Sequence, residues 1–313
     1  MTRKQPVKIT PRRLPERKFV TVCIAGISRY YSQDVLIMAC DRKISFWGGA
    51  YSAEGVALKL RGIHKAWFVM FAGPTSPMVA MVDAISERVT KLRTTELRPF
   101  ARLCSDVYRE ERIPLIENEI LTDYPEIKTY ADYVDLRKTD PSRYAEIASK
   151  ITELESTWSL LFAGFDKHKR AHLFTISERG KISYCDTEGF AVIGSGYLAA
   201  AMSLSTFPFK RSLPLSQAVF SIAAAKFSAE ESADGVGKET ILALQAPDSQ
   251  IAPAFPNHAI ERLKWAWATL PRIPEGAEDE IKEELKQNDS VLRPKPRKRR
   301  APKSDSQKQE DRL

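Results

Sequence analysis

Apolar residues in this chain fall into two patterns: short unbroken runs, and stripes at three- and four-residue steps. The unbroken runs predict strands. Residues 18–27 (KFVTVCIAGI) and 34–40 (DVLIMAC) are the first two, with RYYSQ read as the turn between them. The second is apolar at every position after Asp34, the pattern of a strand covered on both faces. Gly48-Gly49 marks a hairpin or loop within 42–53, and LKLRGI (58–63) and AWFVMFAG (66–73) follow as two more strands. Met78, Met81, Val82, Ile85, Val89 and Leu92 then form one apolar stripe, which predicts a helix. Residues 93–155 keep a helical and strongly charged character, broken at Pro125 and Pro141.

Strand patterning returns in WSLLFAGF (158–165), and AHLFTI (171–176), ISYCD (182–186) and FAVIG (190–194) read as a meander with ERGK (178–181) as one of its turns. A helix is expected from about Ser195, and another after Pro214 with Ser216 as its N-cap. ETILALQA (239–246) reads as the last strand, NHAIERLKWAWATL (257–270) as a surface helix and EGAEDEIKEELKQN (275–288) as a charged one. Antiparallel-looking strand groups with paired helices between them predict an α+β fold, with two packed sheets and helices outside. The expected organisation is a flexible basic segment at 1–17 and a main domain at 18–250 with a helical insertion around 100–155. A helical extension at 251–290 and a disordered basic tail at 291–313 complete it.

Charge sharpens this division. The formal net charge of +8 is concentrated at the two ends. Residues 1–20 carry seven Lys/Arg against one Glu, and residues 291–313 carry nine against three acids, so the body between them is mildly acidic. RPKPRKRR (293–300) has six basic residues in eight, enough for nonspecific contact with nucleic-acid phosphates, or for simple solubility. No aromatic residue interleaves it, so base stacking is unsupported. No apolar run is long enough to span a membrane. The four cysteines form no C-x-x-C pair and read as reduced thiols of a cytoplasmic protein.

Several chemistries are unsupported by motif. GVGKET (235–240) lacks the leading glycine of a phosphate loop, since residue 232 is serine, and it runs into a strand. The four histidines offer no H-E-x-x-H, and no G-x-S-x-G is present. No metal or cofactor is expected.

The order of several stretches resembles a proteasome-type subunit of the N-terminal-nucleophile hydrolases over about residues 20–246. These are TVCIAG, VLIMACDRK, LKLRGIHKAWFVMFAG, LLFAGFD, AVIGSGYLAAAMSL and SADGVGKET. The 14-residue step from Lys59 to Gly73 is the best local match. The resemblance implies a four-layer αββα sandwich, assembly in homo-oligomeric rings or with related subunits, and a peptide or protein substrate. It also implies that Thr21 is a nucleophile freed by removal of residues 1–20, its own α-amine acting as the base near neutral pH. Asp41 and Lys59 would then form the activating pair, Gly73 the oxyanion donor, and Ser195 and Asp234 the supports of the amine.

The chain departs from this pattern at Val20, where active subunits carry glycine, and at Gly237, where a serine is usual. Each residue also has a plain structural reading. Thr21 is an ordinary strand residue, Lys59 and Asp41 a solvated pair, Gly73 a turn, Ser195 a helix cap and Asp234 loop chemistry. A non-catalytic ring component that keeps its N-terminal segment is the alternative function.

Overall fold

The computed structural model describes residues 21–46, 51–53, 59–65, 67–206, 208–233, 236–249, 252–269 and 275–289. Eleven strands are found among them: β1 (Cys23–Tyr30), β2 (Gln33–Asp41), β3 (Ile44–Phe46), β4 (Tyr51–Ala53), β5 (Leu60–His64), β6 (Trp67–Ala72), β7 (Ser159–Phe165), β8 (Ala171–Ser177), β9 (Lys181–Tyr184), β10 (Phe190–Ile193) and β11 (Thr240–Gln245). The helices are α1 (Thr75–Thr90), α2 (Leu97–Glu119), α3 (Tyr130–Thr139), α4 (Pro141–Ser156), α5 (Tyr197–Thr206), α6 (Leu215–Ser232), α7 (Asn257–Ala268) and α8 (Glu275–Gln287). One sheet has the order β10-β1-β2-β11, a second β5-β6-β7-β8-β9, and β3 and β4 form a small hairpin. All the pairings are antiparallel.

Strand alternation explains the layers. In β1 and β2, Ile24, Val35, Ile37 and Ala39 point outward into a core shared with α5, α6, α7 and α8. Their neighbours Cys23, Ala25, Leu36, Met38 and Cys40 point inward and meet Met70, Leu161, Ala163 and Leu173 of the second sheet. The outer face of that sheet, with Trp67, Val69, Phe71, Phe162 and Phe174, packs under α1, α2 and α4. The order is therefore helices, sheet, sheet, helices. The continuous apolar run of β2 follows from burial on both faces.

The structure corrects several local readings. The RYYSQ segment is mostly strand: β1 and β2 run to Tyr30 and from Gln33, which pair with each other, and only Tyr31 and Ser32 turn. Tyr31 takes a positive φ of 53°, as tight hairpins require. The expected three-strand meander over 171–194 is split. β7, β8 and β9 are consecutive in one sheet, but β10 leaves it and pairs with β1. Ser216 is not an N-cap: α6 begins at Leu215 behind Pro214, and Ser216 is buried within the helix. Proline breaks are as read, with Pro141 at the first position of α4, although Pro114 lies inside α2. The segments 1–17 and 291–313, and the Gly48-Gly49 turn, lie outside the described residues.

Candidate active site

Thr21 stands two residues before β1 and is 4% exposed. Every polar atom it carries is engaged. Its backbone N–H donates to Ser195 Oγ at 3.1 Å. Its carbonyl accepts the Gly196 N–H at 3.2 Å. Its hydroxyl Oγ1 receives Lys59 Nζ at 2.6 Å. Lys59 also donates to Asp41 Oδ2 at 2.7 Å, and both side chains are essentially solvent-free. Asp41 is held by the chain around it: Oδ1 accepts the Val22 N–H at 3.0 Å and Oδ2 the Lys43 N–H at 3.1 Å.

The elements explain the convergence. Asp41 ends β2, beside the start of β1, and belongs to the first sheet. Lys59 immediately precedes β5, at the edge of the second. The inner faces between them are built largely from Ala, Cys, Leu and Met. That thin packing lets a lysine of one sheet span to an aspartate and a threonine of the other. Gly194, just past β10, brings the backbone in further. Its φ is +95°, and a Cβ there would stand 2.2 Å from the Thr21 carbonyl oxygen, so only glycine fits. Gly73 follows β6 with a φ of +128°, the left-handed turn before α1.

Of the six residues named from sequence, the structure brings Thr21, Asp41, Lys59 and Ser195 into direct contact and sets Gly73 at the end of the adjoining strand. Asp234 lies outside the described residues. Sequence reading missed Gly194 and a buried lysine, Lys226, behind the site. The signal for Lys226 was available: a single cation in the apolar run VFSIAAAKF of α6.

The arrangement is polar, dry and charge-compensated. An ammonium that donates to a hydroxyl oxygen favours the alkoxide developing there, while a carboxylate behind it keeps the ammonium oriented. Cys23, close by in sequence, is no rival nucleophile, since burial and the neighbouring Cys40 push its thiol well up. The described residues contain no cluster of three His, Cys, Asp or Glu that could hold a metal. A cavity of about 520 Å³ runs from Ser195 between α5 and α6 past Leu198, Met202 and Ser232.

Two face-to-face antiparallel sheets between helical layers, with a threonine at the mouth of the first strand, define a proteasome-like α+β sandwich. Within that class, solved structures similar to this chain include Anbu proteins. An Anbu (Gly-1) mutant from Hyphomicrobium sp. strain MC1 is 17% identical with a TM-score of 0.55, over 88% of this chain and 99% of its own. Anbu (ancestral beta-subunit) from Yersinia bercovieri is 16% identical with a TM-score of 0.54, over 81% and 100%. No family model matches the chain, and no curated protein does. These findings correct the resemblance drawn from sequence. The fold relation runs to Anbu, which is proteasome-like but distinct from proteasome-type subunits, and at this identity it carries the fold and not membership of the N-terminal-nucleophile hydrolases. No described helix is long and apolar enough to cross a membrane.

Proposed function

We propose that the chain is a threonine hydrolase that cleaves amide bonds, with Thr21 as nucleophile once residues 1–20 have been removed. The observation that carries this reading is Lys59 Nζ, 2.6 Å from the Thr21 hydroxyl and 2.7 Å from Asp41. A solvated ion pair does not fit that burial.

The chemistry follows from the atoms in place. Removal of the leader turns the Thr21 backbone nitrogen into an α-amine, with a reference pKa of about 8. That amine takes the hydroxyl proton as Oγ1 attacks the substrate carbonyl. Lys59 stabilises the charge on Oγ1; a cation within hydrogen-bond reach contributes at least about 4 kcal/mol at an effective dielectric near 20. As the tetrahedral intermediate collapses, the protonated amine gives its proton to the leaving amine, and an ester to Thr21 remains. Water, deprotonated by the same amine, then hydrolyses the ester and restores the hydroxyl. Ser195 Oγ, now hydrogen-bonded to the Thr21 nitrogen, orients the base. Gly73 is the proposed backbone donor to the oxyanion, and Asp234 a second support of the amine.

Val20 supports the second reading, a proteasome-fold subunit without catalysis that keeps its leader. A β-branched residue crowds the carbonyl that self-cleavage must attack. Intact mass separates the two. On the catalytic reading the purified protein starts at Thr21, and Thr21→Ala leaves residues 1–20 attached. A folded wild-type chain with its leader intact and no amide hydrolysis would refute catalysis. A ring of identical chains or related subunits and a peptide or protein substrate accompany the proposal, and sizing with cross-linking tests the assembly.

A further inference from the structure

Behind the Asp41–Lys59 pair lies a second set of buried charges. Lys226, in the middle of α6, is 0% exposed. Its Nζ donates to the Gly237 carbonyl oxygen at 2.7 Å and is ion-paired with Glu230 one turn on. Glu230 is itself buried and accepts two further donors: Thr240 Oγ1 at 3.1 Å and Lys264 Nζ, from α7, at 2.5 Å. The contacts to Gly237 and from Thr240 fall on the segment that leads into β11.

That segment rests on the site. Thr240 pairs with Asp41 in the ladder between β11 and β2, and Arg42 N–H donates to the Glu239 carbonyl at 3.2 Å. Gly237 packs against the carboxylate so tightly that a Cβ on it would stand 3.0 Å from Asp41 Oδ2 and 2.6 Å from Lys43 Cβ. The backbone at Gly237 therefore forms the wall behind the Asp41 oxygen that holds Lys59, and the Lys226 ammonium holds that wall. A buried ammonium is costly to keep; burial lowers its affinity for a proton, and Glu230 and Asp41 oppose that drop. A helix packed only for stability would place an apolar side chain here.

We infer that Lys226 is a positioning residue. Through the Gly237 carbonyl it fixes the backbone against which Asp41 sets Lys59 on the Thr21 hydroxyl, and Glu230 with Lys264 anchors it to α7. The inference rests on the threonine-hydrolase reading. It gives the helices after residue 250 a part in the chemistry: α7 supplies the outermost charge of a chain that runs Lys264, Glu230, Lys226, Gly237, Asp41, Lys59, Thr21.

The test uses the protein with its leader removed and a β-lactone probe that acylates a reactive hydroxyl, with the modified residue mapped to Thr21. The maximal labelling rate and the half-saturating probe concentration are measured separately for wild type and Lys226→Met, each with circular dichroism and a melting curve. A displaced Asp41 slows labelling at saturation about 10- to 100-fold, with the half-saturating concentration changed by less than about twofold. A folded Lys226→Met protein that labels at the wild-type maximal rate overturns the inference and leaves the catalytic reading standing. A wild-type protein that does not label overturns both. Should Lys226→Met not fold, Lys264→Met removes only the half-buried outer cation. It slows labelling by about threefold, the low end for residues that act through others, and no change in it overturns the inference.

Discussion

Two buried ion pairs in this molecule look alike on paper and differ in what they leave over. Between α2 and α4, Arg112 Nε meets Glu155 at 2.5 Å, both nearly solvent-free, and the guanidinium also reaches Tyr130 Oη at 3.4 Å and lies over that ring. Everything in this cluster is spent on joining helices to one another and, through Arg179 at 3.9 Å from Glu155, to the turn between β8 and β9. Asp41–Lys59 is as deeply buried, yet one ammonium proton goes to an uncharged hydroxyl, Thr21 Oγ1. Burial of a charge pair is therefore a poor marker of chemistry by itself. On the proposed reading, the marker is a donor directed at a group whose protonation changes during a reaction.

Substitutions can break the contrast or sharpen it. The largest effect falls on Lys59→Met, which removes the cation beside Oγ1. β-Lactone labelling of Thr21 falls by about three powers of ten, from roughly 4 kcal/mol of lost stabilisation. A drop below tenfold would make the pair structural like the other. Arg112→Met leaves buried Glu155 with only the exposed Arg179, 3.9 Å away, which costs up to about 3–5 kcal/mol of stability in urea denaturation, whereas Arg112→Met with Glu155→Leu recovers most of it. Neither changes the labelling rate, and a change would erase the distinction drawn here. Ser195→Ala removes one hydrogen bond to the Thr21 nitrogen and slows labelling by up to about tenfold, in line with about 0.5–1.5 kcal/mol for one such bond.

The smallest effect is a pH dependence far from the site. His172 lies between Asp186, 2.7 Å from Nδ1, and Asp166, 3.3 Å from Nε2, with Arg170 also on Asp166. Burial pushes its imidazole down, but the two carboxylates outweigh this and its pKa is raised. The protonated ring therefore stabilises the native state fully below its ordinary value, and that stabilisation fades as pH rises through the folded value. Burial raises Asp166, but the Arg170 backbone and guanidinium outweigh it and bring it down to about 2. Its contribution is present above the ordinary carboxylate range and is lost as pH falls towards that value. His172→Gln flattens the fall of the urea midpoint as pH rises above the ordinary histidine value, without altering labelling at any one pH; an unchanged slope would remove His172 as the cause.

The legibility of these features in the sequence follows from whether their cause is local. β2 was readable because burial on two faces writes an unbroken apolar run. Pro141 was readable because its ring fixes a helix start. The partner of β10 was not, since FAVI looks the same whether it pairs with β9 or with β1, and its sheet is chosen by packing far along the chain. The site residues were named through an ordered series of short motifs, and the distances among Thr21, Asp41, Lys59 and Ser195 are what the motifs could not contain. Lys226 escaped notice because periodicity treats a lone cation on a helix as solvated. Glu230 one turn on is a partner within the helix, but the approach of Gly237 from outside it is set by the fold alone.

The threonine and the aspartate come from one sheet and the lysine from the edge of the other, across the inner layer of small side chains. If Thr21 is the proposed nucleophile, a half-assembled chain possesses neither an activated hydroxyl nor a means of shedding its leader. On the proposed reading, excision of residues 1–20 works as a built-in inspection, so the appearance of a new N-terminus timestamps the moment the two halves of the sandwich close.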